Sequence, residues 1–339
     1  MVRLGSGRLS LRLRRRTLLV VIIAALLTAA LGVFALTLGE YPLTLPQILG
    51  ALSGTESDGI RRIVVDGRLP RILLAVVAGA SLALSGAIFQ SLTRNPLGSP
   101  DIIGFTSGAY TGALFVILVA GGSYVAVSFG ALAGGMLTAV AVYLLAYRRG
   151  VQGFRLIVIG IAISAILQAI NSWLIISSKL EVAISASAWG AGSFNGSSWR
   201  EFIPVCVVLL VLSPVLAILA GPLRVLELGD DAAAALGVRT ERLRIVLIIV
   251  GVGLTAVVTA VAGPIAFVAL AAPQVAHRLT RSAGVTLLPS AVVGAGLLLV
   301  SDIIAQRLLA PTQLPVGIVT VCIGGIYLVG LLIAQARRK

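Results

Sequence analysis

Eight long runs without a charged residue divide this chain, at 17–39, 72–93, 102–147, 156–178, 202–223, 245–276, 282–301 and 308–336. About 20 apolar residues are what one helix needs to cross the hydrocarbon core of a bilayer, where every backbone N–H and C=O must find its partner inside the protein. That constraint leaves one fold class: an all-α, polytopic bundle of membrane-spanning helices. Charged residues make up 11% of the chain, against roughly 25% in a soluble domain. Its 339 residues give room for about ten spans with short connections and for no large soluble domain, so 1–339 reads as a single transmembrane domain.

Three of the runs resolve further. The run 102–147 is far too long for one helix at 1.5 Å per residue, and Gly121-Gly122-Ser123 near its middle is a turn signal, so it is expected to be a helical hairpin. The run 245–276 is broken by Gly263-Pro264, since proline removes a backbone donor and restricts the residue before it; a short second helix is expected to end at His277-Arg278. In the last run the helix is expected to start at Pro315, a favourable first-turn position for proline. Trp189 to Phe194 is expected to form a short external helix after span five, with Trp189 and Trp199 at the interface. The total is about ten spanning helices.

Arginine placement orients them. Arg3, Arg8, Arg12, Arg14, Arg15 and Arg16 hold the basic segment 1–16 in the cytoplasm, and ten crossings then return Arg337, Arg338 and Lys339 to the same side. Most of the 26 Lys and Arg residues fall on that side, so the net charge of +14 reflects topology. The basic residues are scattered over short loops with no compact basic module, which argues against nucleic-acid binding.

Enzymatic chemistry finds no foothold. The single histidine, His277, excludes an H-E-x-x-H zinc site and leaves a serine nucleophile without a plausible base. The two lysines, Lys179 and Lys339, follow no glycine, so there is no phosphate loop, and Cys206 and Cys322 lie far apart within spans. No catalytic, cofactor-binding or metal-ligating set is expected on this chain. Transport remains, either coupled to an ion or driven by a partner. Ion coupling usually needs carboxylates inside the membrane; Asp302 is the one acidic residue near a span, with a structural or a docking role open to it.

A driven permease needs an exposed element that receives force. The longest internal loop, 224–244, carries L-G-D-D-A-A-A-A-L-G-V at 228–238. Asp230 is a good N-cap, Asp231 suits the positive helix end, the alanines favour helix, and Gly237 can close it in the left-handed conformation. A short rigid knob follows. By itself it is equally a capped loop helix without a partner.

Taken together, R-L-P-R at 68–71, G-A-S-L-A-L-S-G-A-I-F-Q at 79–90, R-N-P-L-G-S-P at 94–100, W-G-A-G-S-F at 189–194, the 228–238 segment, G-P-I-A-F-V-A-L-A-A-P at 263–273 and L-P-V-G at 314–317 resemble the FecCD/BtuC family of ABC-importer permeases. The resemblance covers most of the chain. It implies a BtuC-like bundle, a second permease copy or paralogue, ABC ATPase subunits that hold the ATP and Mg, and an extracytoplasmic siderophore-binding protein. The place would be the cell membrane of a bacterium. On this basis Gly229, Asp230, Asp231, Ala234, Leu236 and Gly237 form the helix that docks on the ATPase. Arg68 and Arg71 receive acidic residues of the binding protein, and Arg94, Asn95 and Pro96 form a cytoplasmic turn or gate. Family members often carry an arginine four residues after the aspartate of span nine; here Gln306 stands there and Arg307 follows, a displaced candidate for the same docking role. Pro273-Gln274, where the family frequently has P-H, resembles the iron-siderophore branch more than the cobalamin branch; haem and cobalamin are the alternative cargoes, and an ion-coupled carrier the alternative function.

Overall fold

The computed structural model describes residues 2–4, 11–13, 15–120, 122–147, 153–284 and 286–336. Arg8, Arg14, Gly121 and the tail 337–339, on which the orientation and the hairpin expectation drew, lie outside the described residues. Among the described residues, apart from two three-residue strands, Val2–Leu4 and Leu11–Leu13, all regular structure is helical.

The helices are α1 (Arg15–Thr37), α2 (Leu45–Ser53), α3 (Asp58–Arg61), α4 (Leu69–Thr93), α5 (Phe105–Ala120), α6 (Tyr124–Ala146), α7 (Gly153–Ile176), α8 (Leu180–Gly190), α9 (Trp199–Leu226), α10 (Asp230–Ala235), α11 (Thr240–Ala262), α12 (Val268–Thr280), α13 (Leu287–Arg307) and α14 (Val316–Ala336). A π-helical stretch, Arg62–Arg68, joins α3 to α4 and makes one helical rod from Asp58 to Thr93. The sequence reading starts this span at Ile72. Charges such as Arg61, Arg62 and Asp66 keep a segment out of lipid without stopping a helix, so the apolar run marks only the part of the rod suited to the bilayer.

Among the described residues, seven helices are long and apolar enough to cross a membrane: α1, the 58–93 rod, α6, α7, α9, α11 and α13. The other expected spans fall on the shorter apolar helices α5 and α14 and on α12. With 13 residues, α12 is about 20 Å long, short of a ~30 Å core. The irregular stretch 263–267 precedes it. Such backbone is tolerated at membrane depth only where protein covers it. Here the 191–193 segment closes over the break: Ser193 N–H donates to Ala262 O (2.7 Å) and Gly317 N–H to Gly192 O (3.0 Å).

The hairpin and the helix stops follow the sequence closely. Ser123 caps α6, its Oγ accepting from the N–H of Ala126 (3.3 Å). One expected element sits elsewhere: the helix after span five is α8, and Trp189 is near its end, with 191–198 irregular. The polar Ser177, Ser178 and Lys179 stop α7, and the helix forms from the apolar residues just beyond them.

Helix α4 is the central post. From Ala78 to Thr93 almost every residue is buried, against α9, α11, α12 and α13. In lipid, helices associate through close packing, because apolar side chains lose nothing by facing acyl chains. Small residues make that closeness possible: a Cβ at Gly86 would overlap the Ala269 carbonyl, and one at Gly79 would overlap that of Gly294. Polar links add direction within the core, where Ser85 Oγ donates to Gly251 O (2.7 Å) and Thr255 Oγ1 donates to Ser85 Oγ (2.8 Å). By contrast α1 leaves Leu19, Ile22, Ile23, Leu26 and Leu27 exposed, a face suited to lipid.

Candidate functional site

Polar side chains collect at the two ends of the bundle. One end holds the start of α11, the ends of α4, α9 and α12, and α10. Gly229 there adopts φ 121°, a conformation that disfavours any side chain, and turns the chain from α9 into α10. Gly237 closes the helix at φ 80° as the sequence implies, with Val238 N–H reaching back to Ala233 O (3.0 Å).

Asp230 departs from its expected part. Gly229 occupies the N-cap position and Asp230 is the first helical residue, with no capping bond from its side chain. Its carboxylate instead meets two arginines. Oδ1 accepts from Arg94 at the end of α4 and from Arg244 Nη2 on α11 (2.6 Å). The side chain of Arg244 is only 9% exposed, whereas Asp230 and Arg94 remain open to solvent, so the buried guanidinium anchors the knob. A neighbouring link joins Ser91 Oγ to Glu227 Oε1 (2.8 Å). Ala233 is buried beneath α10, while Leu228 and Leu236 are well exposed and Asp231 and Ala234 also face out. The knob therefore presents apolar side chains outward on a base fixed by ion pairs.

The turn after α4 begins at Arg94, which adopts the left-handed conformation (φ 48°). Asn95 Oδ1 accepts from Leu97 N–H (2.9 Å), and Gly98 N–H donates to Asn95 O (2.9 Å). Pro96 O accepts from Gln274 Nε2 (2.6 Å) on α12, whose neighbour Leu270 accepts through its carbonyl from Gln90 Nε2 (3.0 Å). Arg94, Asn95 and Pro96 thus form a turn between the knob and α12. Farther along, Asp101 Oδ1 accepts from Thr106 Oγ1. Its Oδ2 is closed off from solvent and has no hydrogen-bond partner among the described residues, although the residue as a whole is partly exposed. Burial pushes this carboxyl up to about 6, against the hydrogen bond from Thr106, which favours the charged form.

The opposite end gathers Arg68, Arg71, Asp302 and Arg307. Arg71 and Asp302 form a two-point pair, with Nη2–Oδ1 at 2.8 Å and Nε–Oδ2 at 3.0 Å, and their side chains are 12% and 1% exposed. Gln306 Nε2 also donates to Asp302 Oδ2 (2.8 Å), and Arg71 Nη1 donates to Gln313 Oε1 (2.8 Å). Of the two roles open to Asp302, this geometry supports the structural one. Arg68 donates to Leu36 O (2.6 Å) and to Tyr41 O, and Arg307 Nη2 donates to Gly39 O (3.1 Å). All three arginines bind the α1–α2 connection or the α13 end; Arg307 is exposed, Arg68 half-buried and Arg71 turned inward. The sequence reading missed the Arg71–Asp302 pair because its members are 231 residues apart. A usable signal was present: an arginine opening one span and an aspartate closing another lie at the same end when spans alternate in direction.

Among the described residues no group of three or more His, Cys, Asp or Glu side chains is placed to hold a metal.

The profile of the FecCD transport family matches residues 18–334. The ferric enterobactin transport system permease protein FepG of Escherichia coli (strain K12) is 45% identical over 325 residues, covering 96% of this chain and 98% of that protein. The achromobactin transport system permease protein CbrC of Dickeya dadantii (strain 3937) is 38% identical over 338 residues, 97% and 95% of the two chains. A solved metal-chelate type ABC transporter in an inward-facing conformation superposes with a TM-score of 0.83 at 32% identity, covering 93% of this chain and 99% of that one.

Proposed function

This chain belongs to the FecCD transport family, and on that premise we propose that it is the permease subunit of an ATP-driven importer that carries a ferric siderophore complex across a bacterial cell membrane. The observation that carries this reading is α10: a short helix with Ala234 exposed on it and Leu228 and Leu236 exposed beside its ends, anchored through Asp230 to Arg244 and to the turn at Arg94. A knob that is apolar outside and ion-paired at its base suits docking in a groove of a separate ATPase, which would supply the ATP and Mg that this chain has no loop to bind. In this reading two permease subunits, identical or paralogous, enclose the pathway. The N- and C-termini lie in the cytoplasm, ten crossings are made with α12 and the 263–267 stretch sharing one of them, and 94–96 forms the inner gate.

At the outer end the binding protein would meet Arg307 and Arg68. Arg71 supports them from beneath, since its guanidinium is already committed to Asp302. The same pair counts against an ion-coupled carrier, because the carboxylate nearest a span is held by an arginine and a glutamine. The cargo follows from FepG, whose name gives ferric enterobactin, and from Gln274, which stands where the sequence suggests the iron-siderophore branch. Proteoliposomes holding the permease with its ATPase and binding protein, offered radiolabelled ferric siderophores, haem and cobalamin in parallel, test the cargo. The expected result is at least about tenfold preference for a ferric siderophore, roughly 1.4 kcal/mol of discrimination. Preferential uptake of haem or cobalamin would refute the assignment.

A further inference from the structure

The outer surface of α1 carries a pattern that transport does not use. Arg15, Leu19, Ile22 and Leu26 recur at three- and four-residue spacing, so they stand one above another on a single face, and all four are exposed. At 23 residues α1 is about 34 Å long, close to the ~30 Å of a hydrocarbon core. That length sets Leu19 and Ile22 among acyl chains and Arg15 and Arg16 at the level of the headgroups.

A second basic element comes to this level from another helix. Arg16 Nε donates to Leu279 O (2.9 Å) near the end of α12. Arg281 closes α12 two residues farther on, exposed and in the left-handed conformation (φ 47°). The side chain of Leu279 is exposed as well, so apolar surface on both helices adjoins the three arginines.

Nothing acidic answers these charges. Among the described residues no carboxylate pairs with Arg15, Arg16 or Arg281. Glu227, which reaches the α12–α13 loop beside Gly284, already accepts from Ser91 Oγ. Arg278 is turned to α14, its guanidinium 5.7 Å from the centroid of the Tyr327 ring. Basic clusters between spanning helices suit anionic headgroups, and an apolar face below them suits acyl chains. A free anion would use only the first of these features, and a zwitterionic lipid would bring a cation to three arginines.

We propose that Arg15, Arg16 and Arg281 hold the headgroup of an anionic phospholipid, whose chains lie along Leu19, Ile22 and Leu26, and that this lipid fastens α1 to the end of α12. Helix α1 otherwise packs chiefly on α13. The inference goes beyond the importer reading and needs only that the chain spans a membrane.

Equilibrium binding of radiolabelled phosphatidylglycerol and phosphatidylcholine to the delipidated full-length chain in mixed micelles tests it. The expected result is one phosphatidylglycerol per chain, bound at least about tenfold tighter than phosphatidylcholine and not displaced by a large molar excess of inorganic phosphate. An arginine near a membrane surface is worth about fivefold in affinity for anionic lipid, equivalent to about 1 kcal/mol. Arg15→Gln, which removes a side chain without a bond among the described residues, is therefore expected to weaken phosphatidylglycerol binding about fivefold, and Arg15→Lys to restore it. Arg15→Gln with Arg281→Asn, asparagine being tolerant of the left-handed conformation, should weaken it about 25-fold and leave phosphatidylcholine binding unchanged. Arg239→Gln with Arg242→Gln removes the same charge from exposed positions at the same end of the bundle, and is expected to change binding less than about twofold. Equal losses in the two double variants would show diffuse attraction and overturn the site. So would equal affinity for the two lipids, or displacement by phosphate. Unaltered binding in Arg15→Gln would overturn it even if the variant at Arg281 fails to fold. No transport enters the measurement, so failure of the importer reading would leave the result as it stands.

Discussion

Replacing Asp302 with alanine is expected to destabilise the fold by about 3–5 kcal/mol, because Arg71 would be left charged, buried and without its carboxylate. Set against a typical total of roughly 5–15 kcal/mol, that is enough to lower the thermal midpoint of the detergent-solubilised protein by many degrees. Three groups converge on the carboxylate: two guanidinium nitrogens of Arg71 and the amide of Gln306. Arg71→Ala should cost a similar amount by stranding Asp302. The double variant Arg71→Leu with Asp302→Leu is expected to recover most of the loss, since an apolar pair of comparable bulk removes both desolvated charges together. Thermal unfolding of the four proteins closes the cycle, and a double variant as unstable as the sum of the singles would show that each side chain acts through other contacts.

The second large effect belongs to α10. Ala234→Arg should leave insertion, yield and thermal stability unchanged, because Ala234 is exposed and the buried base of the knob is Ala233. Transport should nevertheless fall at least about a hundredfold if α10 seats in a groove, since a large charged side chain in the tightly packed centre of an interface costs several kcal/mol. Substrate-stimulated ATP hydrolysis is expected to be lost with it. A variant that assembles and transports normally would remove α10 from the coupling path.

How much of this was readable from the residues depends on the kind of signal. The hairpin at Gly122-Ser123, the break at Gly263-Pro264, the start of α14 beside Pro315 and the α10 knob closed by Gly237 all follow from local backbone chemistry, and the structure has them there. Hydropathy did less well at the margins of spans. It began the second span at Ile72, although the helical rod continues back to Asp58 through Arg61, Arg62 and Asp66. The external helix expected at Trp189 to Phe194 is instead α8, Leu180–Gly190. Lipid selects against charge, whereas a helix outside lipid accepts it.

Partnerships were the least visible. Asp230 has the residue type of an N-cap, and the structure uses it as a joint between Arg94 and Arg244 because Gly229 already turns the chain. Arg71 looked like a surface arginine by its place at the mouth of a span, and Asp302 draws it inward from another helix. Each of these depends on a contact between distant segments, which no local pattern encodes.

The most direct measurement is uptake of a ferric siderophore by proteoliposomes containing this permease and the extracytoplasmic binding protein, with and without ABC ATPase subunits and ATP inside the vesicle or facing its cytoplasmic surface. Accumulation only when the ATPase and hydrolysable ATP are both present is the expected result. Uptake driven by a proton or sodium gradient in vesicles that lack the ATPase would contradict it.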